Sequence, residues 1–133
     1  MFERIVVGAA ETDAARQAID NAIDLARLAG AELHLVLAID PYLDRIDPET
    51  LPGSAHAQEF LDGLAATTSD LTTRTYPVGG DAADAILGVA REIDADLIVV
   101  GNKGMQGAGR ILGSVTNTVS HHAPCSVLIV STT

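Results

Sequence analysis

The sequence has few of the residues that cross-link small proteins, fill bulky cores or bind polyanions. Among its 133 residues there is no tryptophan, one cysteine and one lysine, and only 3% are aromatic. A single cysteine excludes an internal disulfide and fits a reducing compartment, so we expect a cytoplasmic protein. The sequence shows neither a charged and then apolar leader after Met1 nor an apolar run of about 18 residues, so neither export nor a membrane span is predicted.

Positive charge is scarce, and its distribution along the chain is uneven. Eight basic residues oppose 18 acidic ones, which gives a formal charge of −10, and this charge repels nucleic acid and anionic membrane surfaces, so neither is predicted as a partner. Every acidic residue lies at or before Asp96, whereas residues 97–133, the acid-free tail, carry Lys103 and Arg110. Such a tail either binds an anion or consists of buried strand and glycine-rich turn that exclude acids. Composition alone leaves both interpretations open.

Strand and helix patterns alternate along the whole chain. Short β-branched runs predict strands at residues 4–8, 32–39, 71–78, 96–100 and 126–130. Apolar residues at steps of three and four predict helices between them, at about residues 13–29, 54–66, 82–93 and 114–122. Thr12 or Asp13 is the expected cap of the first helix, Gly30 its end, and Asp81 the cap of the third. A loop is predicted from Asp40 to Pro52. This alternation predicts one α/β domain, an open parallel sheet with helices on both faces.

A glycine-rich segment follows the fourth predicted strand and leads into the last helix. Ligands of open parallel sheets bind beyond the carboxyl ends of the strands, and glycines there let the backbone approach a ligand closely. The free N–H groups of a helix's first turn, with hydroxyl and cationic side chains nearby, favour a phosphate. The alternative is a plain connection whose glycines serve packing. The residues that would form the phosphate site are Gly101, Lys103, Gly104, Arg110, Gly113, Ser114 and Thr116.

Two common phosphate motifs do not match this segment. Gly104 and the residues after it have the Walker spacing, but Arg110 stands where that motif has lysine and Ile111 where it has serine or threonine. The turn after the first strand reads GAAETD, which lacks the glycines of a dinucleotide-binding fingerprint. The pattern therefore favours neither a P-loop enzyme nor a dinucleotide-dependent dehydrogenase.

No other group of side chains indicates catalysis. The side chains of His121 and His122 diverge by about 100° on a helix, which favours a place at the helix C-terminus over a shared metal. Cys125 has no neighbouring base, and His34 and His56 stand alone in the sequence. We therefore predict no catalytic residue and no metal ligand.

The chain resembles the universal stress protein family. The hallmark of that family is a glycine, two residues, a second glycine, about nine residues, and then a glycine followed by serine or threonine, after the fourth strand. Gly101 and Gly104 match its opening, and Gly113-Ser114 closes it after eight residues. The opening RIVVG, the turn GDAADAIL and the ending SVTNTVSHHAPCSVLIV extend the resemblance over essentially the whole chain.

This resemblance implies an adenine nucleotide α-hydrolase-like fold with strand order 3-2-1-4-5, and a homodimer formed through the last strand, Ser126 to Val130. It also implies a regulatory stress-response module that binds ATP or AMP, with or without Mg²⁺ bound to the phosphates. In members that bind ATP, the adenine lies between the ends of the first two strands, here Gly8, Ala9 and Ala38. The residues implied for ribose and phosphates are Val100, Gly101, Gly104, Gly113, Ser114, Val115 and Thr116.

One departure from the family pattern keeps a second function open. Nucleotide-binding members have an acidic residue just after the first strand, and Ala10 stands at that position; Glu11 and Asp13 are the nearby acids that could replace it. The alternative is a stress protein that binds no nucleotide and acts only through protein contacts. An ATP-hydrolysing enzyme would need a carboxylate to hold a metal near the phosphates, and the acid-free tail supplies none, although slow hydrolysis stays open.

Overall fold

The computed structural model describes residues 2–39, 53–102 and 114–131 and shows an alternating α/β chain. The predicted loop from Asp40 to Pro52 lies outside these residues. The elements are β1 (Arg4–Gly8), α1 (Asp13–Ala29), β2 (Glu32–Ile39), α2 (Ser54–Ala66), β3 (Thr73–Gly79), α3 (Ala82–Glu92), β4 (Leu97–Gly101), α4 (Ser114–His122) and β5 (Ser126–Val130). The strands form one sheet in the order β3-β2-β1-β4-β5, and every neighbouring pair is parallel, which confirms the predicted fold class.

Helices cover both faces of the sheet, because alternate residues of the central strands point to opposite sides. On one face α1 and α2 pack on Ile5, Val7 and the odd-numbered residues of β2. On the other face α3 and α4 pack on Val6, Val36 and their neighbours. β1, β2 and β4 are therefore buried over most of their length, whereas the edge strands β3 and β5 are only half-buried.

The predicted helix ends are confirmed where the sequence named them. Thr12 caps α1, since its Oγ1 accepts a hydrogen bond from the Ala15 N–H at 3.2 Å. Gly30 ends the same helix in the left-handed region, at a φ of 69°. Asp81 caps α3 by accepting a hydrogen bond from the Asp84 N–H at 3.1 Å.

Two strands, β3 and β4, have boundaries that differ from the prediction. β3 begins at Thr73 and not at residue 71, because the Leu71 N–H still donates to the Thr68 carbonyl in the turn that ends α2. β3 also continues one residue further, to Gly79, which pairs with Ile39. The sequence pattern could not show that Leu71 belongs to the turn and not to the strand, since an apolar side chain suits a turn packed on the core as well as a strand.

The second of these strands, β4, begins and ends one residue later than predicted, at Leu97 and Gly101, and its start is displaced by a side-chain interaction. Asp96, predicted as the first strand residue, accepts hydrogen bonds from the N–H groups of Glu3 at 2.8 Å and Arg4 at 3.1 Å. Its own N–H donates to the Arg4 carbonyl. Asp96 therefore joins the start of β1 to the start of β4, at the amino end of the sheet, and the strand itself begins at Leu97.

A polar contact is buried between β2 and β3. His34 is 3% exposed, and its Nδ1 lies 2.8 Å from the Tyr76 hydroxyl while its Nε2 lies 3.0 Å from Glu32 Oε1. A carboxylate can only accept, so Nε2 carries a proton and donates to Glu32, and the Tyr76 hydroxyl is the hydrogen-bond partner of Nδ1. Burial raises the pKa of Tyr76, which keeps its hydroxyl protonated. His34 is therefore a satisfied structural histidine.

Within the described ranges, no helix combines the length and the apolar character needed to cross a membrane.

Candidate functional site at the carboxyl ends of the strands

The order of the strands defines one point where ligands bind in folds of this kind. From β1 the chain crosses to β2 and β3 on one side, and it returns to β4 and β5 on the other. The connections that leave β1 and β4 therefore diverge and open a crevice beyond the carboxyl ends of these two strands. Val7 pairs with Val99, so the two strand ends lie next to each other at this crevice, with Gly101 one residue further along than Gly8.

The β1 side of the crevice is closely packed. Gly8 pairs with Val36, and the N–H of Ala9 donates to the Val36 carbonyl at 2.7 Å, so the chain stays beside β2 after the strand ends. A Cβ at Gly8 would lie 2.7 Å from Cδ1 of Ile86 on α3. Ala38 lies two residues beyond Val36 on β2 and is buried.

The β4 side of the crevice carries the start of α4. Thr116 is 7% exposed and donates a hydrogen bond from its Oγ1 to the Gly101 carbonyl at 2.9 Å. This bond fixes the first turn of α4 against the end of β4. Ser114 is exposed at the first residue of the helix, Val115 is half-buried, and Val100 is buried against α3.

Gly101 has a packing role that its sequence context did not reveal. A Cβ at this position would lie 2.7 Å from the carbonyl oxygen of Ala14 and 3.2 Å from its carbonyl carbon. Both atoms belong to the backbone of α1, which passes directly over the end of β4. The absence of a side chain at Gly101 is therefore explained by helix packing, independently of any ligand.

The structure brings part of the predicted site together. Gly8, Ala9, Val100, Gly101 and Thr116 surround the ends of β1 and β4, and Ser114 and Val115 complete the first turn of α4. Ala38 lies at the same edge of the sheet but on β2, further from β4, and it pairs with Val78 on β3. Four predicted residues lie outside the described ranges: Lys103, Gly104, Arg110 and Gly113.

The charge differs between the N-termini of α1 and α4, the two helices that follow β1 and β4 at the crevice. The first turn of α1 carries Asp13 and is capped by Thr12, so its positive end is partly neutralised. The first turn of α4 carries no acidic residue. Its early N–H groups have no partner within the helix, which makes this the terminus better suited to an anion.

One contact at the carboxyl edge of the sheet was not predicted from the sequence. His56, on the first turn of α2, donates from Nε2 to Oε1 of Glu11, which lies in the connection between β1 and α1. The two residues are 45 positions apart, and both histidine and glutamate are common on exposed helix starts and loops. No local pattern could have paired them.

Nothing among the described residues forms a recognisable catalytic or metal site. No group of three or more His, Cys, Asp or Glu side chains in these ranges could hold a metal ion. Burial raises the pKa of the Cys125 thiol, so the thiol is protonated at neutral pH and is a poor nucleophile. His121 and His122 lie in the last turn of α4, where the helix dipole favours positive charge.

Comparison with known proteins identifies the family. Residues 1–131 match the profile of the universal stress protein family. A universal stress protein of Mycobacterium tuberculosis is 35% identical, with 99% of this chain and 98% of the relative covered. A universal stress protein whose crystal structure contains cAMP superposes with a TM-score of 0.81 at 31% identity, covering 99% of this chain and 98% of the other. The universal stress protein UspA of Lactobacillus plantarum gives a TM-score of 0.74 at 29% identity, with 97% of each chain covered.

Both the family profile and this relative match nearly the full length of the chain, and the chain therefore belongs to the universal stress protein family.

Proposed function

We propose that this protein binds an adenine nucleotide, AMP or ATP, at the crevice beyond β1 and β4 and acts as a regulatory module. The observation that supports this most directly is the hydrogen bond from Thr116 to Gly101, which holds the acid-free start of α4 at the point where the connections diverge. The structure of a relative with cAMP, which is 31% identical, supports an adenine nucleotide as the ligand class.

In this proposal the two parts of the nucleotide bind at different places along the edge of the sheet. The adenine lies toward Gly8, Ala9 and Ala38, which are small, apolar residues at the ends of β1 and β2. Its ribose and phosphates lie toward Val100, Gly101 and the first turn of α4. The backbone N–H groups of Ser114, Val115 and Thr116 then face the negative charge.

The segment between β4 and α4 completes the proposed phosphate site. Lys103 and Arg110 would add positive charge there, and Gly104 and Gly113 would keep the backbone close to the phosphates. A protein with a formal charge of −10 needs such local positive charge to retain an anion. Because the acid-free tail offers no carboxylate to hold a metal at the phosphates, we propose binding and signalling as the function, and not turnover.

Thermal unfolding with and without nucleotide tests this proposal. A ligand present at about 100 times its Kd stabilises the folded state by about 2.7 kcal/mol, which for a chain of this size raises the Tm by roughly 10 °C. We expect AMP or ATP to produce such a shift, and titration calorimetry to give the Kd. Guanosine and cytidine nucleotides at the same concentration test whether the base is recognised.

Ser114→Glu is the variant that tests the phosphate position. An acidic residue suits the first turn of a helix, so the fold should keep its stability, whereas the added charge repels a phosphate bound there. The matched control is Ser120→Glu, which adds the same charge to an exposed position of α4 about 9 Å further along the helix. Binding lost in Ser114→Glu and kept in Ser120→Glu supports the site. Equal binding by both variants and the parent would show that the phosphates bind elsewhere.

Ala10 favours the second candidate function, in which the protein binds no nucleotide and acts only through protein contacts. A missing hydrogen-bond partner costs about 1–3 kcal/mol if it leaves a buried group unpaired. Ala10→Asp supplies the acid that the family pattern has after the first strand, so we expect this variant to bind more tightly than the parent. If neither protein shows a nucleotide-dependent shift in Tm, the non-binding function is the correct one.

We also propose that two copies associate through β5. This strand lies at the edge of the sheet, and its Ile129 is 42% exposed, so an apolar edge remains open to pairing. Light scattering coupled to size exclusion should give a dimer at micromolar concentration. Ile129→Lys should give a monomer, while Leu28→Lys, which places the same charge at a residue of α1 that is 84% exposed, should remain dimeric. A monomeric parent would contradict this assembly.

A further inference from the structure

The contact between Glu11 and His56, here called the rim pair, joins two segments that meet at the ligand edge of the sheet. Glu11 lies three residues after the end of β1 and two before the start of α1. His56 is the third residue of α2. Both side chains are well exposed, 48% for Glu11 and 60% for His56, so the contact is not a by-product of core packing.

The rim pair fixes the middle of a short connection whose two ends are already held. At one end the Ala9 N–H donates to Val36 on β2, and at the other end Thr12 caps α1. Among the hydrogen bonds and ion pairs of the described residues, the rim pair is the one that joins this connection to α2. Without it, no polar contact would link Glu11 to that helix.

We propose that His56 is a positioning residue for nucleotide binding: through Glu11 it holds the connection after β1, residues 9–12, in the conformation that binds the ligand. This inference rests on the proposed function, because residues 9–12 border the crevice assigned to the nucleotide. A segment that is already ordered pays less conformational entropy when a ligand binds, so the rim pair raises affinity without touching the ligand. It also makes nucleotide affinity depend on the placement of α2.

A double-mutant cycle on the nucleotide Kd tests the rim pair. Exposed ion pairs and hydrogen bonds of this kind contribute up to about fivefold in an equilibrium constant, so we expect His56→Ala to weaken AMP binding by about two- to fivefold. Glu11→Ala also removes a negative charge near the anion, which by itself strengthens binding. The cycle cancels that contribution and leaves the coupling between the two side chains.

Two further variants separate positioning from a simple change of charge. The exchanged pair, Glu11→His with His56→Glu, restores the contact and suits α2, because an acidic residue is favourable in the first turn of a helix. We expect it to recover most of the lost affinity, whereas His56→Glu alone places two carboxylates together and should bind more weakly than the parent. Glu59→Ala, at an exposed position one turn further along α2, is the control and should leave the Kd unchanged.

A measurement without ligand tests the same inference independently. Amide hydrogen exchange in the free protein should become faster in His56→Ala at Ala9 and Ala15, whose N–H groups donate to the Val36 carbonyl and to Thr12 Oγ1 at the two ends of the connection, and remain unchanged there in Glu59→Ala. Additive effects in the cycle together with unchanged exchange would overturn the positioning role while leaving nucleotide binding intact. A parent protein that binds no adenine nucleotide would overturn the proposed function, and the inference with it.

Discussion

Replacing Gly101 by alanine separates helix packing from ligand binding at the end of β4. The new Cβ would lie 2.7 Å from the Ala14 carbonyl oxygen, about 0.7 Å closer than the 3.4 Å at which ordinary contacts begin. The obstacle is backbone in the first turn of α1, so no side-chain rotation can relieve it. Either α1 must move away from the sheet or the end of β4 must shift.

The size of the effect follows from the cost of overpacking a dense core. Inserting one carbon into a site that cannot relax costs about 1–3 kcal/mol. Because the neighbouring atom is backbone, we expect about 2 kcal/mol, which corresponds to a fall in Tm of roughly 6–10 °C for a chain of this length. The loss should be present in the absence of nucleotide, since its cause is the contact between α1 and β4.

Gly8→Ala is the matched comparison, because its Cβ would also lie 2.7 Å from the nearest atom. That atom is the terminal methyl of Ile86, which can rotate away at a cost of about 1 kcal/mol or less. Urea unfolding of both variants and the parent, with the m-value checked for constancy, measures the difference. A Gly101→Ala protein that is no less stable than Gly8→Ala would refute the packing explanation and leave ligand approach as the reason for the glycine.

Two further predictions concern single residues away from the site. Asp94 adopts a φ of 55°, a backbone conformation that is strained for a residue with a side chain. Asp94→Gly should therefore raise the free energy of unfolding by about 0.5 kcal/mol, measured by urea titration. A decrease would show that the Asp94 side chain makes a stabilising contact. The hydrogen bond from Arg27 lowers the pKa of Asp70. The bond therefore stabilises the fold at pH values above the ordinary carboxyl pKa, and this stabilisation is lost as the pH falls through the lowered pKa of Asp70. Arg27→Gln should therefore be less stable than the parent at neutral pH and converge with it in acid, with the Asp70 titration followed by NMR; a stability difference independent of pH would contradict this.

The sequence predicted the architecture well because the deciding signals are local. β2 is apolar along almost its whole length and is buried from Leu33 to Ile39, as expected for a strand covered on both faces. The caps Thr12, Gly30 and Asp81 act within their own helices, so their roles could be read from nearby residues. The glycine pattern after β4 identified the family from the same kind of local information.

The parts that the sequence could not predict depend on how distant elements meet. The requirement for glycine at 101 comes from the path of α1 over β4, and Ala14 carries no signal of that approach. Asp96 was predicted as an ordinary strand residue, although its carboxylate joins two strand starts more than 90 positions apart in sequence. The rim pair is of the same kind. Each of these contacts follows from tertiary geometry and not from propensity or periodicity.

The hydrogen bond between His34 and Tyr76 also bears on how β3 finds its place during folding. β3 is an outer strand with little difference in burial between its two sides, so apolar contacts alone would distinguish poorly between the native alignment and one shifted by a single position. Such a shift would turn Tyr76 to the opposite side of the sheet and leave a ring nitrogen of His34 enclosed without a partner, at a cost of about 1–3 kcal/mol. One polar contact thus destabilises the shifted pairings of a strand whose apolar contacts would tolerate them.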